Sequence, residues 1–435
     1  MTLYDENILL QRAPYGDPIT HIPTSLKFDP NYDIYFRHPA YPDPHDILII
    51  LPGLDHPHGG IHHQLALDAC AILANNRYEG WFTEDREGNE RVNVPLSGIL
   101  RKRNYYFRVS DHYQDLYPIV PSFEDWIFPH NNVPSSWKLD IPRAPNHPTP
   151  RESTLMEATL SRDIRCRITN HIEGTECAHL IPRSQSVWFQ RNLMVRYGKT
   201  SRPGSEPIDT PRNVLLLRSD IHTSFDYKRF TFVPKPQYAT SGDNLEVGSE
   251  SDAYVTHVFR SSDPHELTSL YHGVKLQILT GVASEYLFAR FAWTIFQFIP
   301  IFIQAGVHRR VAVYEPANSL SSSVASTEPS VKTLSGDECR FLPLRNKPRS
   351  SSPKKRKPEE DIGDADLDYR RGRCRTRRDE DASAMGSFDS GLTADGPWYQ
   401  SSASEATEDT DLSDPDLDKS GLNSHTSYID DQLLI

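Results

Sequence analysis

At 435 residues the chain has room for two or three folded regions, yet only 37% of it is hydrophobic, which is low for a chain folded throughout. A formal net charge of -12, spread evenly, would exclude a polyanionic partner. It is not even: between Arg151 and Lys235 stand 14 Lys and Arg against 9 Asp and Glu, a basic island of +5 in an acidic chain.

The opening stretch "MTLYDENILLQR" lacks the basic start and apolar core of a signal peptide, so secretion is not expected. "DILIIL" (46 to 51) reads as a buried strand and "PGLDHPHGG" as the turn after it. In "IHHQLALDACAILANN" the residues Ile61, Leu65, Ala69 and Ile72 recur at helical spacing, which predicts a helix packed on that strand. His56, His58, His62 and His63 crowd its start; loop and cap roles suit them better than a second metal site, and the Gly-Lys-Ser/Thr ending of a phosphate loop is missing. "DREGNERV" has the look of a hairpin tip, "SGILRKRNYYFRV" of a strand pair, and 111 to 150 of an ordered surface loop rich in Pro, Trp and Tyr.

Further on, "CAHLIP" places strand formers before a proline and "NVLLL" reads as a second strand, with about 30 polar residues of loop between them. "RSDIHTSFDYK" predicts a helix capped by Ser219 or Asp220. His222 then falls in the first turn, and Asp226 lies four residues on along the same face. "YVTHVFR" and "YHGVKLQIL" are strand-like, a helix is expected from about Ser284 to Ile299, and "RRVAVY" closes the folded part near 315. The 17-residue run Phe291 to Val307 contains Pro300, Gln297 and Gln304 and is too short and interrupted for a membrane span, for which about 20 predominantly apolar residues are needed. From 316 to 435 the composition is that of a disordered tail, with "SSSPKKRKPEED" and "RRGRCRTRR" as basic clusters before an acidic end. Lys354, Lys355, Arg356 and Lys357 fit recognition by a nuclear import receptor, so the nucleus is the expected location, otherwise the cytoplasm.

Residues 166 to 226 resemble the HNH endonuclease family, in particular fungal-type proteins with an HNH nuclease domain. The resemblance rests on "CRIT" at 166, "ECAHLIP" at 176, "RNVLLLRSDIH" at 212 and "FD" at 225. It implies a ββα-metal unit, a β-hairpin and a following helix that grip one divalent cation. The implied fold class is α+β. The HNH unit spans 155 to 235, between an N-terminal α/β accessory region (1 to 150) and a C-terminal strand and helix flank (250 to 315).

Alone, a histidine before Ile-Pro reads as a polar residue at a strand end. With Asn213, His222 and Asp226 in order, the resemblance makes His179 the general base that takes a proton from water, His222 a metal ligand, and Asn213 the residue that holds the loop behind His179. His179 and His222 are then expected to converge on one phosphate. Many family members carry an acidic residue immediately before the base; here that position is Ala178, and Glu176, three residues before His179, is the expected substitute ligand. The cation would be Mg2+ or Mn2+, with Zn2+ as an alternative. The family's paired zinc cysteines correspond to Cys166, Thr169, Arg218 and Ile221, so a structural tetrathiolate zinc is not expected. Among all five cysteines (Cys70, Cys166, Cys177, Cys339, Cys374) there is no CxxC pair, which favours a reducing compartment. Arg183, Arg191 and Arg212 are candidate phosphate contacts. The expected substrate is nucleic acid, DNA foremost, with no membrane partner and the oligomeric state left open. The alternative is a catalytically inactive HNH fold that serves as a nucleic-acid-binding or interaction module.

Overall fold

The computed structural model describes residues 32–109, 116–144, 154–198, 204–236, 252–260, 266–314 and 329–342. In strand β1 (Asp33–Arg37), Ile34 and Phe36 are buried and alternate with half-buried neighbours, as one pleat facing a core requires. It lies between β2 (Ile47–Pro52), the strand expected from "DILIIL", and a later strand. Next come β3 (Ile61–His62) and helix α1 (His63–Leu73), in which every residue but Gln64 is buried. A helix buried all round belongs inside a core, and α1 packs against β2 on one side. Asn75 and Asn76 follow it at φ 59° and 64°, a left-handed conformation that asparagine tolerates at a helix end.

β4 (Trp81–Thr83), β5 (Ile99–Leu100) and β6 (Asn104–Arg108) complete the N-terminal region. The sheet order is β2-β1-β6-β4, and β5 pairs with β3. Only β1 and β6 run parallel, so the expectation of an α/β accessory region is corrected to α+β. The stretch 116–144 has only a 3-10 turn at Ser135–Trp137, but it is no surface loop. Phe123, Trp126, Phe128 and Trp137 are buried, and Trp126 donates its indole N–H to Asn76. Its aromatic content accounts for this: such rings stabilise most when removed from water.

Helix α2 (Leu155–Asp163) begins with a capping box, Thr154 and Glu157 satisfying each other's backbone N–H groups. β7 (Thr175–His179) and β8 (Val214–Arg218) pair antiparallel, with Glu176 opposite Leu217 and His179 opposite Val214. The segment between them is not a polar loop. It contains α3 (Ser186–Arg191) and buries Trp188, Phe189, Met194 and Ile208. Helix α4 (Ser219–Asp226) follows β8 directly; its N-cap position is Arg218, without a side-chain cap, rather than Ser219 or Asp220.

β9 (Phe230–Lys235) and β10 (Ala253–Val258) form an antiparallel pair. Much of "YHGVKLQIL" is not strand: α5 (Glu266–Tyr271) ends inside it, and only Lys275 makes an isolated bridge, to Val255. α6 (Ser284–Ile295) stops before Pro300, which opens the short α7 (Pro300–Ile303). β11 (Arg309–Val313) corresponds to "RRVAVY", yet it does not close the fold. It pairs with β12 (Ser330–Leu334), and α8 (Gly336–Phe341) follows, so a boundary at 315 is too early.

One cluster of buried side chains runs from Ile34 to Cys339 through all three expected regions, so no separate core ends near residue 150. The basic clusters at 351 to 378 and the acidic end lie outside the described residues. Among the described residues no helix is long and apolar enough to cross a membrane.

Candidate active site

The hairpin β7–β8 carries two groups of polar side chains. Alternation puts Glu176 and Ala178 on one face of β7, and Cys177 and His179 on the other. The first face meets α4. There His222 Nδ1 lies 2.9 Å from Glu176 Oε2, and His222 Nε2 lies 3.5 Å from Asp226 Oδ2. Glu176 and Asp226 are each 55% exposed while His222 is 18% exposed, so the imidazole sits below two solvent-facing carboxylates. Ala178, on the same face, is fully buried in the core; a carboxylate there would be desolvated, whereas Glu176 keeps its head in water.

On the second face Cys177 packs against Met156 of α2, and His179 Nε2 meets Asp209 Oδ1 at 2.9 Å. Arg183 forks onto the same carboxylate, Nε to Oδ1 at 2.7 Å and a terminal nitrogen to Oδ2 at 2.9 Å. Burial alone would raise the Asp209 pKa, but the hydrogen bonds from His179 and Arg183 outweigh it and hold it at about 2. Sequence reading missed Asp209. Its only signal was a carboxylate four residues before Asn213, with no periodicity to tie it to His179. The expectation that His179 and His222 gather in one cluster is therefore modified: each has its own carboxylate, and the two groups occupy different faces of β7.

Asn213 is fully buried and binds three backbone groups. Its Oδ1 accepts from Ile181 N at 3.0 Å, and its Nδ2 donates to Ile181 O at 3.0 Å and Ile208 O at 3.1 Å. One side chain thus pins the turn after His179 to the segment that carries Asp209. From α6, the buried Arg290 donates to the carbonyls of Leu180 and Phe225 and stacks 3.5 Å from the centre of the Phe225 ring. It joins the end of β7 to the end of α4.

Residues 166–233 match the family model of HNH endonucleases. This segment is an HNH endonuclease domain. No curated protein and no solved structure matches the chain. The match begins at Cys166, whose turn is closed by protein groups: Cys166 N donates to His171 O, Asn170 N to Cys166 O, and Thr169 N to Cys166 Sγ.

The other arginines around the HNH domain also have protein partners. Arg191 donates to Glu124 O and lies 4.0 Å from the Tyr314 ring centre, and burial lowers its pKa. Arg212 donates to Tyr197 O at 2.6 Å. Of the histidines near α1, His63 bonds Val94 O at 2.9 Å, while His62 is buried.

HNH domains generally use a divalent metal, and the described residues offer two places to consider. Asp55, His257 and His272 have ligand atoms within 4.8 Å of one another, all fully buried. The Lys235 ammonium stands among them, bonded to Asp55 Oδ1 and 3.1 Å from His257 Nδ1. Burial would raise the Asp55 pKa, yet Lys235 and the histidines hold it well below the carboxylate range. His257 is pushed down to about 3, by burial first and by Lys235 second, so it is neutral. The cation position there is taken by a lysine. The exposed Glu176, His222 and Asp226 are the better donor set: their nitrogen and oxygen atoms suit a divalent ion, and the 2.9 Å between Glu176 and His222 is close to the roughly 3 Å edge between ligands bound at 2.0–2.2 Å.

Proposed function

We propose that β7, β8 and α4 form a ββα-metal centre and that the protein is a metal-dependent endonuclease hydrolysing phosphodiester bonds of nucleic acid, DNA foremost. The observation that carries this reading is the pairing of Glu176 with His222, inside the segment that matches the HNH family, from a strand and a helix 46 residues apart in sequence. Glu176 and His222 hold the cation, Mg2+ or Mn2+ in preference to Zn2+, and Asp226 supports His222 from the next turn of α4.

A bound divalent ion would supply charge neutralisation at a phosphoryl oxygen and at the departing 3′ oxygen. His179 takes the proton of the attacking water, leaving a 5′ phosphate, as the family resemblance implies. Asn213 holds the turn that sets the direction of the imidazole. Lys354, Lys355, Arg356 and Lys357 support nuclear delivery, which a fluorescent fusion with these four changed to alanine tests by loss of nuclear signal.

Two observations favour a second reading, a binding module without activity: Ala178 stands where family members carry a carboxylate, and the two imidazoles lie on different faces of β7. Plasmid nicking with Mg2+ or Mn2+, together with Mn2+ binding, separates the two. The nuclease reading expects His179→Ala to keep Mn2+ and to lose about 10²-fold or more in rate, and Glu176→Ala and His222→Ala to lose Mn2+ itself. Wild-type protein that binds DNA but nicks it no faster than His179→Ala establishes the binding module instead.

A further inference from the structure

Resting on the assignment of His179 as base, we infer that Asp209 is the positioning residue of that imidazole and that Arg183 serves Asp209 rather than a substrate phosphate. A carboxylate held at a pKa of about 2 can only accept hydrogen bonds at neutral pH. The 2.9 Å contact therefore requires the His179 proton on Nε2 and leaves the lone pair on Nδ1. Nδ1 is the base nitrogen. When the water O–H bond breaks, its proton goes to Nδ1 and the hydroxide oxygen bonds to phosphorus. The phosphorus–alkoxide bond then breaks, and the leaving oxygen takes its proton from solvent. The imidazolium formed in between has the Asp209 anion beside it.

Asp209 is unusually well fixed for a residue outside any strand or helix. Its N–H donates to Glu206 O at 2.9 Å, its neighbour Ile208 is buried and held by Asn213, and Asn213 N donates to Thr210 O at 2.9 Å. Asn213 thus places both ends of the His179–Asp209 pair, because it also holds Ile181. Arg183 lies four residues beyond His179 and spends its fork on Asp209, although its side chain is 65% exposed. A fork bound to both oxygens of one carboxylate has little left to direct at a phosphate.

The test uses the full chain with 15N-labelled histidine, in wild type, Asp209→Asn, Asp209→Ala and Arg183→Gln. Ring-nitrogen shifts of His179 should report a single Nε2-protonated tautomer in wild type and a mixture in Asp209→Ala. With supercoiled DNA and Mn2+, Asp209→Ala should lower kcat by roughly 10²-fold, the low end of what a general base contributes, with KM and Mn2+ affinity unchanged. Asp209→Asn, which keeps an acceptor for Nε2–H, should recover the single tautomer and part of the rate. Arg183→Gln should lower kcat and leave the salt dependence of KM as it was. A phosphate ligand would instead raise KM and reduce the salt slope by about one.

An unchanged tautomer and unchanged kcat in Asp209→Ala overturn the inference. If wild type does not cleave, the nuclease reading fails while the tautomer spectra still decide whether Asp209 orients the ring.

Discussion

Asp68 shows how far burial alone can move a side chain in this fold. It lies on α1 inside the core, accepting from the Trp137 indole at 2.8 Å and the Gln64 amide at 2.8 Å. Burial raises its pKa to about 7 against the smaller, opposing effect of those two hydrogen bonds. In the unfolded chain an aspartate titrates near 3.9. The folded state therefore binds the proton more tightly, and the stability this contributes is complete below about pH 4 and lost as pH rises through 7. Asp68→Asn removes that dependence while keeping an acceptor for Trp137. In calorimetry the variant should gain on wild type steadily between pH 4 and 7, by up to about 4 kcal/mol, and hold a constant lead above pH 7. A difference that stays flat across that range would mean that Asp68 titrates alike in both states.

Between elements, the strongest polar joint is one that links parts of the chain remote in sequence. Lys235 at the end of β9 pairs with Asp55 after β2, and His272 beyond α5 donates to the same carboxylate at 3.0 Å, all without exposure to water. Lys235→Met would leave the carboxylate buried with its histidine and backbone partners but no cation, and should destabilise the protein by about 3–5 kcal/mol in thermal denaturation. Adding Asp55→Asn should restore much of that loss; strict additivity of the two changes would show that they do not interact. A joint of this kind has no mark in the sequence, because a lone lysine ending an apolar strand looks like any solvated lysine. The same holds for Asp209, which reaches His179 only through the path of an irregular segment. By contrast β2, β7, β8, β10, α1 and α6 were legible, since each carries a strong apolar pattern of its own. Glu176 and His222 were legible too, from residue type and spacing. β12 was not: its five residues are exposed or half-buried, and it is a strand because β11 offers an edge to pair with.

At the scale of the whole molecule, the HNH segment is held from outside itself. Arg290 of α6 carries the ends of β7 and α4 on two backbone carbonyls, and burial draws its pKa below arginine's ordinary value against the opposing pull of Asp226. From the N-terminal side, Trp126 O accepts the Trp188 indole at 2.8 Å and Phe128 N donates to Asn192 at 2.8 Å. β9 has only β10 as a sheet partner, and its residues are all buried. Cutting out 154–236 would expose those surfaces and strip three buried groups of their partners, each loss worth about 1–3 kcal/mol, on the scale of a small domain's whole stability. That fragment should give no cooperative thermal transition and a collapsed amide spectrum, while a chain spanning 32–342 should unfold in one sharp step. A fragment that melts cooperatively and still binds Mn2+ would show that the nuclease unit is autonomous and that the surrounding core only accompanies it. The opposite result would mean that changes far from His179, at Arg290 or Trp126, act on the site by moving the platform that carries it.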